Sequence, residues 1–205
     1  MTHIGHSEKV FIMKRLLLIL ILTFSVQSWT KADDIRDFQI EGMSIGDSLL
    51  DYASLEYINK DKSYFGNNNK FYTILLEQDY QTFDAIQLTI QDKDKRYIIK
   101  SLTGKIFYDN NNISECYKLL ENINLELSTI LKEIIIDKET TGRIEHKADK
   151  AGSSTTEGTY FWLDKGDSIY IYCTDWSDKM EFIDNLKVQI RTKIYDEWLF
   201  NEAYK

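Results

Sequence analysis

The sequence predicts an α+β fold, with helices packed on one face of an antiparallel sheet. Three observations carry that prediction. Short apolar or alternating segments of strand length recur along the chain and are separated by turn residues. Two other segments, near 45–60 and 112–134, place apolar residues at helical spacing. The order helix, strands, helix, strands then reads as two similar α-β-β-β halves, 40–109 and 110–195, inside a single domain from 33 to 205. With 43% hydrophobic and 13% aromatic residues the chain has material for a core. It contains no Pro, where roughly ten are usual for this length, so its turns must be built from Gly, Asn, Asp and Ser.

Residues 1–32 read as a secretory signal peptide. Lys14 and Arg15 precede an apolar run, Leu16 to Val26, and Thr30-Lys31-Ala32 is a small-x-small cleavage site before Asp33. The expected mature chain starts at Asp33, and Met13 rather than Met1 is a plausible true start. Retention of the run as a membrane anchor is the alternative, although it is short for a bilayer span. Removal of 1–32 takes away four basic residues (Lys9, Lys14, Arg15, Lys31) and one acidic residue (Glu8). The formal net charge then moves from −8 to −11. A chain so acidic is repelled by nucleic acid and by anionic membrane surfaces, so neither is an expected partner. Cys116 and Cys173 are an even pair, which in an exported chain favours a disulfide; two buried free thiols are the alternative.

In order along the mature chain, residues 33–39 read as a mobile lead. Ser44, with Asp47 three residues on, has the form of a capping box, so a helix is expected from Ile45 to about Lys60, whole or in two pieces. Gly66 to Lys70 is a turn. Lys70 to Glu77 and Phe83 to Ile90 are strands, Gln91 to Lys95 a turn, and Arg96 to Leu102 the returning strand. Gly104 predicts a bulge or bend. Asn112 and Glu115 repeat the capping signal before the clearest helix, with Cys116, Leu119, Leu120, Ile123, Leu127, Ile130 and Ile134 along one stripe. Asp137 to Gly158 reads as a polar loop. Thr159 to Leu163 and Ser168 to Thr174 form a hairpin around Asp-Lys-Gly-Asp. From Asn185 to Tyr195, Leu186, Val188, Ile190 and Ile194 face inward while Lys187, Gln189, Arg191 and Lys193 face outward. Asp196 to Lys205 closes as a short helix or tail. Ile90 to Ser101 echoes Trp162 to Cys173, each an acidic-basic turn between apolar strands, which reads either as a duplication or as the likeness of any two hairpins with Asp-Lys turns.

No convergent catalytic set is legible. In Gly42-Met-Ser-Ile-Gly-Asp-Ser48 an Asp stands where a phosphate loop wants a cation, so the stretch is read as structural. His146 is the lone His after residue 32, which is too few for a zinc site, and no cofactor or metal is expected. Ser153, His146 and Asp149 have the residue types of a triad but crowd one loop, whereas triads are assembled from separate rigid elements. Long polar loops do carry binding function, so Arg143 to Gly158, with Arg143, His146, Asp149 and Ser153, is one candidate surface. Tyr170 and Tyr172, opposite in phase to Ile169 and Ile171, are the other.

The stretch Phe38 to Tyr52, with its Gly-Met-Ser-Ile-Gly-Asp-Ser-Leu-Leu-Asp motif, resembles an uncharacterised family of secreted proteins from AT-rich marine bacteria, as do "HKADKAGSS", "YCTDWS" and "VQIRTKIYDEWL". The same opening is distantly similar to BamE and β-lactamase-inhibitor-protein-like envelope domains. That resemblance implies a helical pair on an antiparallel sheet, sometimes in tandem, and a binding or assembly role. The lipid-anchoring Cys of BamE is missing here. The functional expectation is an exported, non-catalytic envelope protein in the periplasm or secreted, which binds a protein partner or a small ligand. A small periplasmic hydrolase using carboxylates or a Cys–His pair is the alternative.

Overall fold

The computed structural model describes residues 34–109, 112–147, 149–150 and 152–205. The signal-peptide reading of 1–32 lies outside the described residues. The fold is α+β, as the sequence predicts. One eight-stranded antiparallel sheet carries the molecule, built from β3 (Ser63–Tyr64), β4 (Phe71–Leu76), β5 (Ala85–Gln91), β6 (Ile99–Tyr108), β7 (Ile135–Glu145), β8 (Thr155–Leu163), β9 (Ser168–Asp175) and β10 (Asp184–Arg191). Its order is β3-β4-β5-β6-β10-β9-β8-β7. Helix α1 (Leu55–Asp61) precedes the first four strands and α2 (Ile113–Ile130) the last four. The order is therefore that of two helix-plus-four-strand units, joined where their last strands, β6 and β10, pair antiparallel from Asp184↔Tyr108 to Arg191↔Ser101.

Each unit thus has four strands where three are expected from sequence. The strand that sequence misses in the second unit is β7, inside the stretch read as a polar loop. It is the sheet edge, exposed nearly throughout, and its register shifts twice against β8. A strand with solvent on both sides has no apolar alternation to reveal it, and its charges guard an open edge against pairing with another chain. The duplicated hairpins also fall out of phase. Ile90 to Ser101 joins the third and fourth strands of its unit, while Trp162 to Cys173 joins the second and third of the other, so the echo in sequence is not the repeat in structure.

One face of the sheet is covered. The α2 stripe Cys116, Leu119, Leu120, Ile123 and Leu127 packs over Ile169, Ile171, Leu186 and Ile190 in a single core. Cys116 and Cys173 lie there at disulfide distance, Cα–Cα 6.1 Å. Asn112 stands at the N-cap of α2 but makes no side-chain capping bond. Over the first unit the cover is built from small pieces: a 3-10 turn at Ile35–Asp37, the hairpin β1 (Gln39–Ile40)–β2 (Met43–Ser44), a 3-10 turn at Leu49–Asp51, and α1. The supposed lead is anchored by Ile35 and Phe38, both buried. Ser44 caps no helix. It closes β2, its N–H donating to the Asp47 carboxylate at 2.8 Å, and Tyr52 Oη donates to the same carboxylate at 2.6 Å. The caps sit further on, where Ser48 accepts from the Leu50 N–H and Ser54 from the Tyr57 N–H. Gly104 marks no bulge, for β5, β6 and β10 run in register through it. A Cβ there would come within 2.5 Å of the Phe83 ring, so the position needs Gly to let that ring lie on the sheet.

Among the described residues the opposite face is covered at one end by α3 (Lys193–Asn201), and at the other end Thr156, Thr174 and Asn185 are buried as well. Trp198 and Tyr195 pack on Phe71 with ring centroids at 4.8 and 5.3 Å, and Trp198 Nε1 donates to Asn68. The alternation expected through Tyr195 stops at Arg191. Ile194 is therefore a helix residue and is exposed, while Gln189 and Arg191, expected outside, are buried under α3 and its aromatic neighbours.

Candidate functional site

The bare part of that second face belongs mainly to β8, β9 and β10. Pairing sets Tyr160 directly opposite Tyr170 and Trp162 opposite Ser168. Because successive residues in a strand point to opposite faces, Tyr160, Trp162, Tyr170 and Tyr172 all emerge on the side away from α2. Their rings form a ladder. Tyr160 stacks on Tyr170 at 3.7 Å and 5°, Tyr170 on Tyr172 at 4.2 Å and 18°, and Trp162 beside Tyr160 at 5.5 Å and 8°. Phe200 of α3 closes the Trp162 end. Gly158 makes the ladder possible, since a Cβ there would lie 2.5 Å from the Ile171 carbonyl oxygen and from Tyr172 Cβ.

Cations border these rings. The Arg191 guanidinium lies 5.5 Å from the Tyr160 centroid and 5.2 Å from that of Tyr170, and Lys187 Nζ lies 5.1 Å from that of Tyr172, all within cation–π range. Arg191 is buried and held in place. It donates to Asp196 Oδ1 at 3.3 Å and to Gln189 Oε1, Gln189 donates in turn to Ser101, and Ser168 donates to Asp196. Burial pushes the Asp196 carboxyl up, and Arg191 and Ser168 pull it back down. Burial likewise pushes the Tyr160 and Tyr170 phenols up, so they stay neutral donors at neutral pH.

The loop candidates do not form one site. Arg143 lies on the α2 side, its guanidinium 4.7 Å from the Tyr117 centroid and 3.9 Å from Glu157. Asp149 is buried and staples its loop, Oδ2 accepting from the Ser154 N–H at 2.9 Å, Ser154 Oγ at 2.7 Å and Ser177 Oγ at 2.9 Å. Its neighbour Ser153 is exposed and takes no part in that staple; Ser154 fills the role. His146 packs its ring on Trp176 at 4.3 Å, and burial, aided by Lys187, pushes its imidazole down. The cysteine pairing leaves no thiol for a Cys–His nucleophile. Among the described residues no group of three His, Cys, Asp or Glu is placed to hold a metal ion. Elsewhere a polar recess of about 680 Å³ opens between the β3–β4 and β5–β6 turns, its rim closed by a Tyr64–Asp92 hydrogen bond.

Of the sequence candidates, then, Tyr170 and Tyr172 share a surface; Arg143 lies on the other face, Asp149 in a structural staple, His146 against Trp176, and Ser153 is exposed. The sequence reading did not single out Tyr160, Gly158, Lys187 or Arg191 as members of the surface. Tyr160 and Trp162 show the same two-residue spacing as Tyr170 and Tyr172 and were within reach; the others need the strand register. No family model, curated protein or solved structure matches this chain.

Proposed function

We propose that this chain is an exported, non-catalytic envelope protein that binds a protein partner on the face of Tyr170 and Tyr172. The single observation behind the reading is the stacked ladder Trp162–Tyr160–Tyr170–Tyr172, bordered by Arg191 and Lys187, with Tyr160, Trp162 and Tyr172 half-exposed. Tyr, Trp and Arg are the side chains that dominate binding energy in protein interfaces. Rings already stacked against one another lose little freedom when a partner arrives. The signal pattern before Asp33 and the cysteine pair both favour an oxidising compartment. The tandem helix-plus-strands layout is in keeping with the distant likeness to β-lactamase-inhibitor-protein-like envelope domains.

Site-specific photo-crosslinking in the native host tests the binding face. A benzophenone side chain at Tyr172 gives a discrete adduct, and the same group at Glu121 on the exposed side of α2 does not. The reading falls if Tyr172 gives no adduct or if both positions give the same one. N-terminal sequencing of the exported protein tests the compartment, with Asp33 as the expected first residue.

A further inference from the structure

Lys105 on β6 and Lys187 on β10 stand directly opposite each other on the two central strands. Both lie half-buried on the face away from α2, by the same alternation that places Tyr172 there. Like charges opposed across an antiparallel pair destabilise a sheet, so the fold itself gains nothing from this pair. Among the described residues neither ammonium has a hydrogen-bonded or ion-paired carboxylate; Lys187 has the Tyr172 ring. Glu77 acts favourably on Lys105 from beyond the end of β4, but burial and Lys187 outweigh it and push the Lys105 ammonium down to about 8. A second shortage adjoins the first. Two residues along from Lys187 and Tyr172, Asn185 and Thr174 oppose each other, and Thr156 follows on β8. Among the described residues Asn185 Oδ1, Thr174 Oγ1 and Thr156 Oγ1 are buried with no hydrogen-bond partner; the two hydroxyls lack an acceptor, the amide oxygen a donor. Buried polar atoms are normally paired, and leaving them unpaired costs stability.

Two opposed cations with no ion-paired carboxylate among the described residues call for an anion. We infer that Lys105 and Lys187 are the seat for a carboxylate side chain that the protein partner sets against Tyr172. This rests on the proposed binding face and names the chemistry that the partner brings to it. A carboxylate fits better than a polyanion because the chain as a whole carries −8, so a densely charged phosphate backbone is repelled while one acidic side chain meets a local basic pair. The flanking rings then receive the apolar atoms around that carboxylate.

NMR of the full exported chain carrying ¹³C-dimethylated lysines reads the seat directly. The probes are acetylated triglutamate amide, its triglutamine counterpart and inorganic phosphate. Triglutamate shifts the Lys105 and Lys187 signals saturably and raises the Lys105 titration midpoint by about one pH unit, a tenfold preference for the charged form. Triglutamine leaves both unmoved. Shifts no larger than those of the exposed Lys60 and Lys179 overturn the inference, and so does a stronger response to phosphate than to triglutamate. Lys105→Met supplies a second readout. It binds triglutamate at least tenfold more weakly and melts at a higher temperature, because the repulsion is gone; a lower melting temperature marks the pair as structural and overturns the inference. A crosslinked adduct at Tyr172 with silent lysines removes the carboxylate seat and leaves the binding face standing, whereas no adduct at Tyr172 removes the face itself.

Discussion

The two halves of the sheet repeat one strand order and differ in what covers them. The first is closed on one side and capped at an end of the other. A patchwork of 3-10 turns, hairpin and α1 covers one side, and α3, with Trp198 against Phe71, covers an end of the other. The second has a single 18-residue helix on one side, tied to it through Cys116 and Cys173, and a row of stacked rings open on the other. The same scaffold is thus used once to make a core on two faces and once to make a core on one face and display the other. The difference lies in which residues occupy the second face. Phe71 finds Trp198 and Tyr195 above it, whereas Tyr160 and Tyr170 find each other and the edge of Phe200.

Uncovering the first half is the most severe way to break this contrast. Trp198 is fully buried, so Trp198→Ala removes the lid over Phe71, and denaturant unfolding is expected to show a loss of about 3–5 kcal/mol. Untying the second half comes next. The cysteine pair closes a loop spanning 57 residues, and replacing both with Ala is expected to cost about 4 kcal/mol by chain entropy, read as a lower denaturation midpoint that reductant no longer affects. Gly158→Ala sharpens the contrast within the open face. Its Cβ meets the β9 backbone, with an expected cost of about 1–3 kcal/mol. Near-ultraviolet circular dichroism should lose the tyrosine-ladder signal, which Gly104→Ala, directed at Phe83 on the covered face, leaves intact.

The smallest expected effect is a pH dependence. Lys105 titrates near 8 in the fold and near 10.4 in an unfolded chain. Between these values the unfolded chain binds more protons, so stability rises with pH from about 8 to about 9.5. Above about 10 the tyrosines reverse the trend, because Tyr72, Tyr108, Tyr170 and Tyr195 are held above the ordinary phenol range and release protons more readily once unfolded. Lys105→Met should abolish the rise without altering the later fall; urea unfolding at a series of pH values distinguishes the two.

Legibility in sequence followed burial. The stripe of α2 was readable because it has one dry face and one wet face, and β5 and β9 because aliphatic residues alternate with polar or aromatic ones along them. Strand β7 was not, since both of its faces are wet. The stretch from Ile45 to Lys60 does hold two short helical pieces, Leu49–Asp51 and Leu55–Asp61, but their start was not readable, because Asp47 turns back to the Ser44 N–H and postpones the caps to Ser48 and Ser54. Of the site, Tyr170 and Tyr172 were visible as a phase opposite to Ile169 and Ile171. In the loop of His146, Asp149 and Ser153, sequence could not show that Asp149 pairs with Ser154 and Ser177, because Ser177 lies 28 residues away.

By itself the sequence determined the α+β class, the covered face of the sheet and the pairing-competent cysteines, because apolar periodicity and residue chemistry act over a few neighbours. The tertiary structure alone decided that Lys105 stands against Lys187, that Gly158 makes room for Tyr172, and that Arg191 lies beneath Tyr160 and Tyr170. Those facts depend on strand register, and register is set by contacts between residues dozens of positions apart, each of which is locally indifferent to its partner.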